Sequence, residues 1–321
     1  MKAKYLLVAA MGLLLGLSTN ASAHSAVQSA DIFAAAFPAG TEPVVDGDLG
    51  EWEWIRESSL RDVYTLSAQD FNYQARGGNP DGLTEDFFPA GDNTNLDDFN
   101  FNMTLGYTPG TNMLYLGIEI FDNDHVRWAA TDQLWQEDGF NMWMDPDHDD
   151  EFGGTSVPPR ELQQILFAPQ KLDGENVNIE SDGVAWQVAH DELICADPGS
   201  CHDNRIFDVA FTNDGPVFGE TTTFIEAWVE LYNYLDPDES LHASDSDPHI
   251  MNPEGVIGFN IYFQDMDTID GAIAYTNRYF NSENANGQEF LADVFLAPVE
   301  VDAPTAVEST TWGRIKAGNV N

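Results

Sequence analysis

Basic residues and cysteines are what this 321-residue chain has least of: 12 Lys and Arg stand against 55 Asp and Glu, and there are two cysteines. The formal charge of −43 excludes a nucleic-acid partner, because holding phosphates takes Lys and Arg in number. Disorder is the other reading of so acidic a chain. It is excluded by 8 Trp, 20 Phe and 10 Tyr, whose apolar area recurs along the whole sequence and can form a core. Long apolar runs are scarce as well, since the one at Tyr5–Leu17 falls short of the roughly 20 residues a membrane span needs. Catalytic signatures are missing too. The seven histidines form neither H-E-x-x-H nor an i, i+4 pair, no nucleophile motif occurs, and so many acids give no basis for choosing a glycosidase pair. The reading is therefore of a non-enzyme.

What is present points first to export. Lys2 and Lys4, the apolar run and then Ala21-Ser22-Ala23 follow the three zones of a secretory signal peptide over 1–23, with cleavage expected near Ala23 and a secreted, periplasmic or cell-surface protein as the product. Cys195 and Cys201 frame Ala-Asp-Pro-Gly-Ser, a turn-rich loop. They read either as a disulfide closing that loop, the expected state of an exported protein, or as a metal or redox pair with His202.

Beyond a short N-terminal segment at 24–41, strand-like runs alternate with turn-rich loops and almost no helical period persists. The runs are Val44–Val45, Asn100–Tyr107, Met113–Phe121, Gly139–Met144, Leu162–Ala168, Gly183–His190, Ile206–Phe211, Thr222–Leu231, Gly255–Phe263, Ala272–Phe280 and Phe290–Ala297. This spacing predicts an all-β fold, an antiparallel β-sandwich of jelly-roll or immunoglobulin-like type, as a single domain over 42–298. The polar stretch Asn72–Asp98 reads as a long surface loop. Residues 299–321 form a C-terminal tail carrying Trp312, Arg314 and Lys316.

The stretch Leu114–Asp149 concentrates the binding chemistry. Leu114, Leu116, Ile118 and Ile120 share one strand face, Asp122 and Asp124 follow at its end, and Phe140, Met142 and Met144 mark another face before Asp145. Trp135 lies in the polar run Thr-Asp-Gln-Leu-Trp-Gln-Glu-Asp, where an exposed ring beside carboxylates suits a sugar, whereas Trp52, Trp54, Trp143, Trp186 and Trp228 fall in core patterns. Asp145, Asp147 and Asp149, two residues apart, can converge on one hard cation, and calcium is the expected cofactor. The alternative is a solvated acidic turn. An EF-hand is excluded, because Asp150 stands where that loop needs Gly.

Six blocks, in order, resemble the family 9 carbohydrate-binding modules: PVVDGDLGEWEW from Pro43, MLYLGIEIFDND, LWQEDGFNMWMD, TTTFIEAWVELYNYL, EGVIGFNIYFQDMD and EFLADVFL. The resemblance implies a β-sandwich that binds an oligo- or polysaccharide without turnover. It places Trp135 as one tryptophan of the pair that sandwiches a terminal sugar, puts Asn141 and Gln164 at two polar contacts where the family has Glu and Arg, and leaves Tyr275 or Tyr279 for the second ring. It also implies a structural calcium at Asp122 and Asp124. Other secreted members of the wider superfamily bind haem through Met and Lys or His, for which Met142, Met144, Met251 and Lys171 are the candidates here, and a surface adhesion role without a sugar is the remaining alternative.

Overall fold

The computed structural model describes residues 32–56, 61–79, 82–88, 96–125, 138–147, 163–168, 172–173, 176–177, 183–188, 192–195, 207–215, 219–234, 247–265, 275–279 and 291–298. For 72–79, 82–88, 164, 166, 168, 172–173, 176–177, 183–188, 192–195 and 275–279 the description is of backbone alone.

Among the described residues nineteen strands run in chain order. They are β1 (Ile32–Ala36), β2 (Thr65–Ser67), β3 (Asn72–Asn79), β4 (Gly82–Phe88), β5 (Phe99–Tyr107), β6 (Met113–His125), β7 (Gly139–Asp145), β8 (Gln163–Ala168), β9 (Leu172–Asp173), β10 (Asn176–Val177) and β11 (Gly183–Val188). After them come β12 (Glu192–Cys195), β13 (Phe207–Asp214), β14 (Gly219–Glu230), β15 (Tyr232–Tyr234), β16 (Asp247–Pro248), β17 (Val256–Asp265), β18 (Tyr275–Tyr279) and β19 (Ala292–Leu296). The main path is β12-β11-β8-β7-β17-β19-β1-β5-β6-β14-β13, curled so that its two halves face each other as an all-β sandwich.

Alternation creates the core. Phe140, Met142 and Met144 of β7 and Ile257, Phe259, Ile261 and Phe263 of β17 point inward from one half; Phe101, Met103 and Leu105 of β5 and Leu114, Leu116, Ile118 and Ile120 of β6 answer from the other. Phe101 and Phe263 stack at 3.9 Å between ring centroids, and Phe71 meets both edge-on.

Three expectations need correction. Asn72–Asp98 is not all loop, because β3 and β4 form a hairpin within it, and β3 pairs with β18. Val44–Val45 makes no strand, since the chain bends at once through Val45–Gly47. The pairing is not purely antiparallel either: β1 joins β19 and β5, both in parallel, so the sandwich takes in residues ahead of 42. Met142, Met144 and Met251 all lie in the hydrophobic core, which is their packing role; Lys171 lies outside the described residues. Among the described residues no helix is long and apolar enough to cross a membrane.

Candidate functional site

The outward face of the half-sheet around β7 and β17 carries amides and aromatics where a solvent face normally carries charge. Asn141 and Trp143 of β7 and Asn260, Tyr262 and Gln264 of β17 occupy the positions between the core residues, and all five are buried. Pairing sets them in rungs. Tyr262 is the partner of Asn141, and Trp143 of Asn260. The Asn141 Nδ2 donates to the Tyr262 hydroxyl at 2.9 Å, and the Trp143 and Tyr262 rings meet at 5.3 Å and 37°. Asn260 and Gln264, each 1% exposed, have no hydrogen-bond partner among the described residues for either amide atom. Two buried primary amides therefore present two donor groups and two acceptors with nothing to satisfy them, at a penalty of about 1–3 kcal/mol per unmet group.

Backbone register extends the rungs to the other expected sugar positions. Gln164 of β8 pairs with Trp143, and Tyr279 of β18 pairs with Tyr262. Tyr275, at the start of β18, pairs with Arg76 of β3. Asn141, Gln164 and Tyr279 thus come to two adjacent rungs of one sheet, although 23 and more residues separate them in sequence. Trp135 lies outside the described residues. Asn260, Tyr262 and Gln264 were not singled out from the sequence, yet the alternation Asn-Ile-Tyr-Phe-Gln was the available signal, with every second residue able to hydrogen-bond between the apolar Ile261 and Phe263.

Asp122, at the far end of β6, lies in a different setting from the one alternation predicts. Opposite it on β14 the register slips between Gly219 and Thr221, so that Thr221 pairs with Asp122 and Gly219 with His125. This bulge leaves Asp124 exposed and brings His125 onto the buried side with Asp122. Asp138, just ahead of β7, completes a buried group in which one ligand atom from each residue lies within 4.8 Å of the others. Asp124 contributes its backbone N–H, which donates to Asp122 Oδ1 at 2.9 Å. His125, which belongs to no motif in the sequence, is thus a buried strand residue. Asp145 is buried at the end of β7 and Asp147 half-buried beyond it, while Asp149 lies outside the described residues. Cys195 ends β12, but Cys201 lies outside the described residues and the expected pairing with it.

No protein-family model matches this chain, and no curated protein matches it. Among solved structures it is similar to a carbohydrate binding module family 9 from Caldicellulosiruptor kristjanssonii in complex with cellotriose, with 13% identity and a TM-score of 0.39 over 86% of this chain and 98% of that one. The same module in complex with glucose gives 13% and 0.39 over 85% and 98%. A candidate carbohydrate-binding protein from Bacteroides uniformis gives 10% and 0.40 over 84% and 99%.

On the opposite half of the sandwich the outward face is sealed rather than polar. Phe37, Trp52 and Ile55 cover it, with Tyr115 beneath them. Glu226 of β14, fully buried, accepts from Trp52 Nε1 at 2.9 Å through Oε1, and from the Asp46 and Gly47 amides at 3.1 and 3.0 Å through Oε2. Burial pushes its carboxyl up to about 7, against the opposing pull of these three donors. The Asp-Gly turn, the Trp and the Glu of two separate sequence blocks therefore bind one another, and their role is to fasten the opening segment.

Proposed function

We propose that this chain is an exported, non-catalytic carbohydrate-binding protein that holds an oligo- or polysaccharide on the polar face of β7, β17 and β18. The observation that carries the reading is the pair Asn260 and Gln264, buried with all four amide atoms unpartnered beside the Asn141–Tyr262 hydrogen bond and the Trp143 ring. A sugar matches that set in kind, and because these atoms are covered in the folded chain, binding requires that cover to open. A sugar's neighbouring hydroxyls donate and accept at once, as a primary amide does, and its C–H faces lie against aromatic rings. Buried away from water, each such bond discriminates strongly against a ligand that lacks the hydroxyl. The family 9 module described above was solved in complex with cellotriose and with glucose, and glucans are the first ligands to try. In this reading Trp135 supplies the stacking platform, and calcium at Asp145, Asp147 and Asp149 steadies the adjoining loop.

The test uses apolar replacements. Asn260→Leu and Gln264→Leu remove unmet polar groups from a buried position, so each should leave the melting temperature equal or higher while abolishing heat of binding in calorimetric titrations against soluble glucans. Trp135→Ala should also lose binding with little change in melting temperature. If wild-type protein gives no heat with plant, algal and microbial glycans, or if the two Leu variants bind as wild type does, the assignment of this face is wrong. Release of reducing ends from those glycans would move the reading to an enzyme.

A further inference from the structure

We propose that Asp122, His125 and Asp138 form a binding site for a divalent transition ion of the zinc class, with three protein ligands and one position left for water or an exchangeable ligand. The three side chains are 1%, 5% and 2% exposed. His125 Nδ1 lies 3.6 Å from Asp122 Oδ2 and 3.3 Å from Asp138 Oδ2. An imidazolium held by a carboxylate makes contacts of about 2.7–2.9 Å, and its single Nδ1–H can serve only one of two acids. Ligands on one ion keep a different spacing. With metal–nitrogen and metal–oxygen bonds of about 2.0–2.2 Å at the tetrahedral angle, neighbouring donor atoms stand about 3.3–3.5 Å apart, close to both separations seen here.

The remaining contacts orient the set. Asp122 Oδ1 is committed to the Asp124 amide, which turns Oδ2 inward, and Oδ2 has no hydrogen-bond partner among the described residues. Thr221, the pairing partner of Asp122, has a buried hydroxyl that is likewise without one. Two buried carboxylates side by side repel unless a cation lies between them. The nitrogen donor decides which cation. Calcium takes six to eight oxygens, whereas an imidazole with two carboxylates suits zinc, cobalt or manganese. Because Asp122 and His125 end β6 and Asp138 precedes β7, an ion here ties together the two ends of the 126–137 stretch that carries Trp135.

Cobalt serves as the probe because its visible spectrum reports coordination. The full chain, stripped with a chelator and titrated with Co2+, should develop the intense visible bands of a four- or five-coordinate ion at one equivalent. One equivalent of Zn2+ should erase them, and a hundredfold excess of Ca2+ should not. His125→Ala and Asp138→Asn should each weaken Zn2+ binding by more than about a hundredfold, beyond what loss of an outer-sphere partner does. A weak octahedral spectrum, bands unchanged by His125→Ala, or displacement by equimolar Ca2+ would each overturn the site. If a variant fails to fold, the wild-type spectrum and the calcium competition still decide.

Discussion

Glu226 shows how one residue serves two sequence blocks. Its carboxylate has three donors aimed at it, from Asp46, Gly47 and Trp52, and Gly47 is suited to the turn in two ways. It adopts φ +79°, and a Cβ there would stand 2.7 Å from the Phe211 carbonyl carbon. Glu226→Gln keeps the shape but sets an amide N–H2 against one of those donors. It should lower stability by about 1–3 kcal/mol in denaturant unfolding. The wild-type group also sets a pH dependence. Its folded pKa, about 7, lies above the ordinary 4.5, so the folded state holds the proton more tightly, and stability from this group falls as pH rises from 4.5 through about 7. The sign allows a direct check. Comparing wild type and Glu226→Gln at pH 5 and pH 8, the destabilisation by the amide should be larger at the lower pH, because the neutral acid can still accept the Trp52 N–H through its hydroxyl oxygen whereas an amide nitrogen cannot. A difference that is pH-independent would mean the carboxyl does not titrate in this range.

Most strands legible in the sequence show alternation or a short apolar run between turn signals, and those that show neither clearly were missed. β5, β6, β7, β14 and β17 stand within a few residues of their expected positions because apolar and polar residues alternate in each. β1, Ile-Phe-Ala-Ala-Ala, was missed because a strand buried on both sides shows no period of two, and its parallel pairing leaves no hairpin signal. The β3–β4 hairpin was missed because its strands, Asn-Tyr-Gln-Ala-Arg-Gly-Gly-Asn and Gly-Leu-Thr-Glu-Asp-Phe-Phe, are polar and glycine-rich, and their pairing with β18 is a long-range event. The site divides in the same way. Asn141 came from a matched block and Gln164 from the wider resemblance, and both lie on neighbouring rungs, but His125 could not be joined to Asp122 from sequence, since a bulge in the ladder changes which side it points to. The acidic turn after β7 is tested at this scale. If Asp145, Asp147 and Asp149 bind calcium, free calcium at about 100 times its dissociation constant should add roughly 2.7 kcal/mol and raise the melting temperature by several degrees, and Asp147→Ala should reduce the gain. Equal melting temperatures in chelator, magnesium and calcium would leave a solvated acidic turn.

For the whole molecule the dominant quantity is charge. With 12 basic residues for 55 acids, most carboxylates have no Lys or Arg to pair with, and pairs such as Arg56–Glu119, between the covering segment and β6, are necessarily few. Self-repulsion of this kind opposes the compact state, because unfolding spreads the charges apart. The sandwich withstands it through its apolar layers, in which Phe101, Phe263, Phe140 and Phe167 join the two halves, while the buried Glu226 carboxylate is met by donors on both oxygens. Added salt acts on the repulsion alone. Raising sodium chloride from 0.1 to 1 M shortens the screening length from about 10 Å to about 3 Å, less than the spacing of most surface charges. Stability should therefore rise with salt, in contrast to a protein held by surface ion pairs, which salt weakens. At roughly 2–4 °C per kcal/mol for a domain of this size, a gain of one to two kcal/mol would appear as a melting temperature several degrees higher. The increase should be the same in chelator and in the Asp147→Ala and His125→Ala variants, because screening requires no site. A melting temperature that stays level or falls between 0.1 and 1 M would show that ion pairing outweighs repulsion despite the imbalance, and an increase lost in either variant would show that sodium acts through a bound position instead of the bulk field.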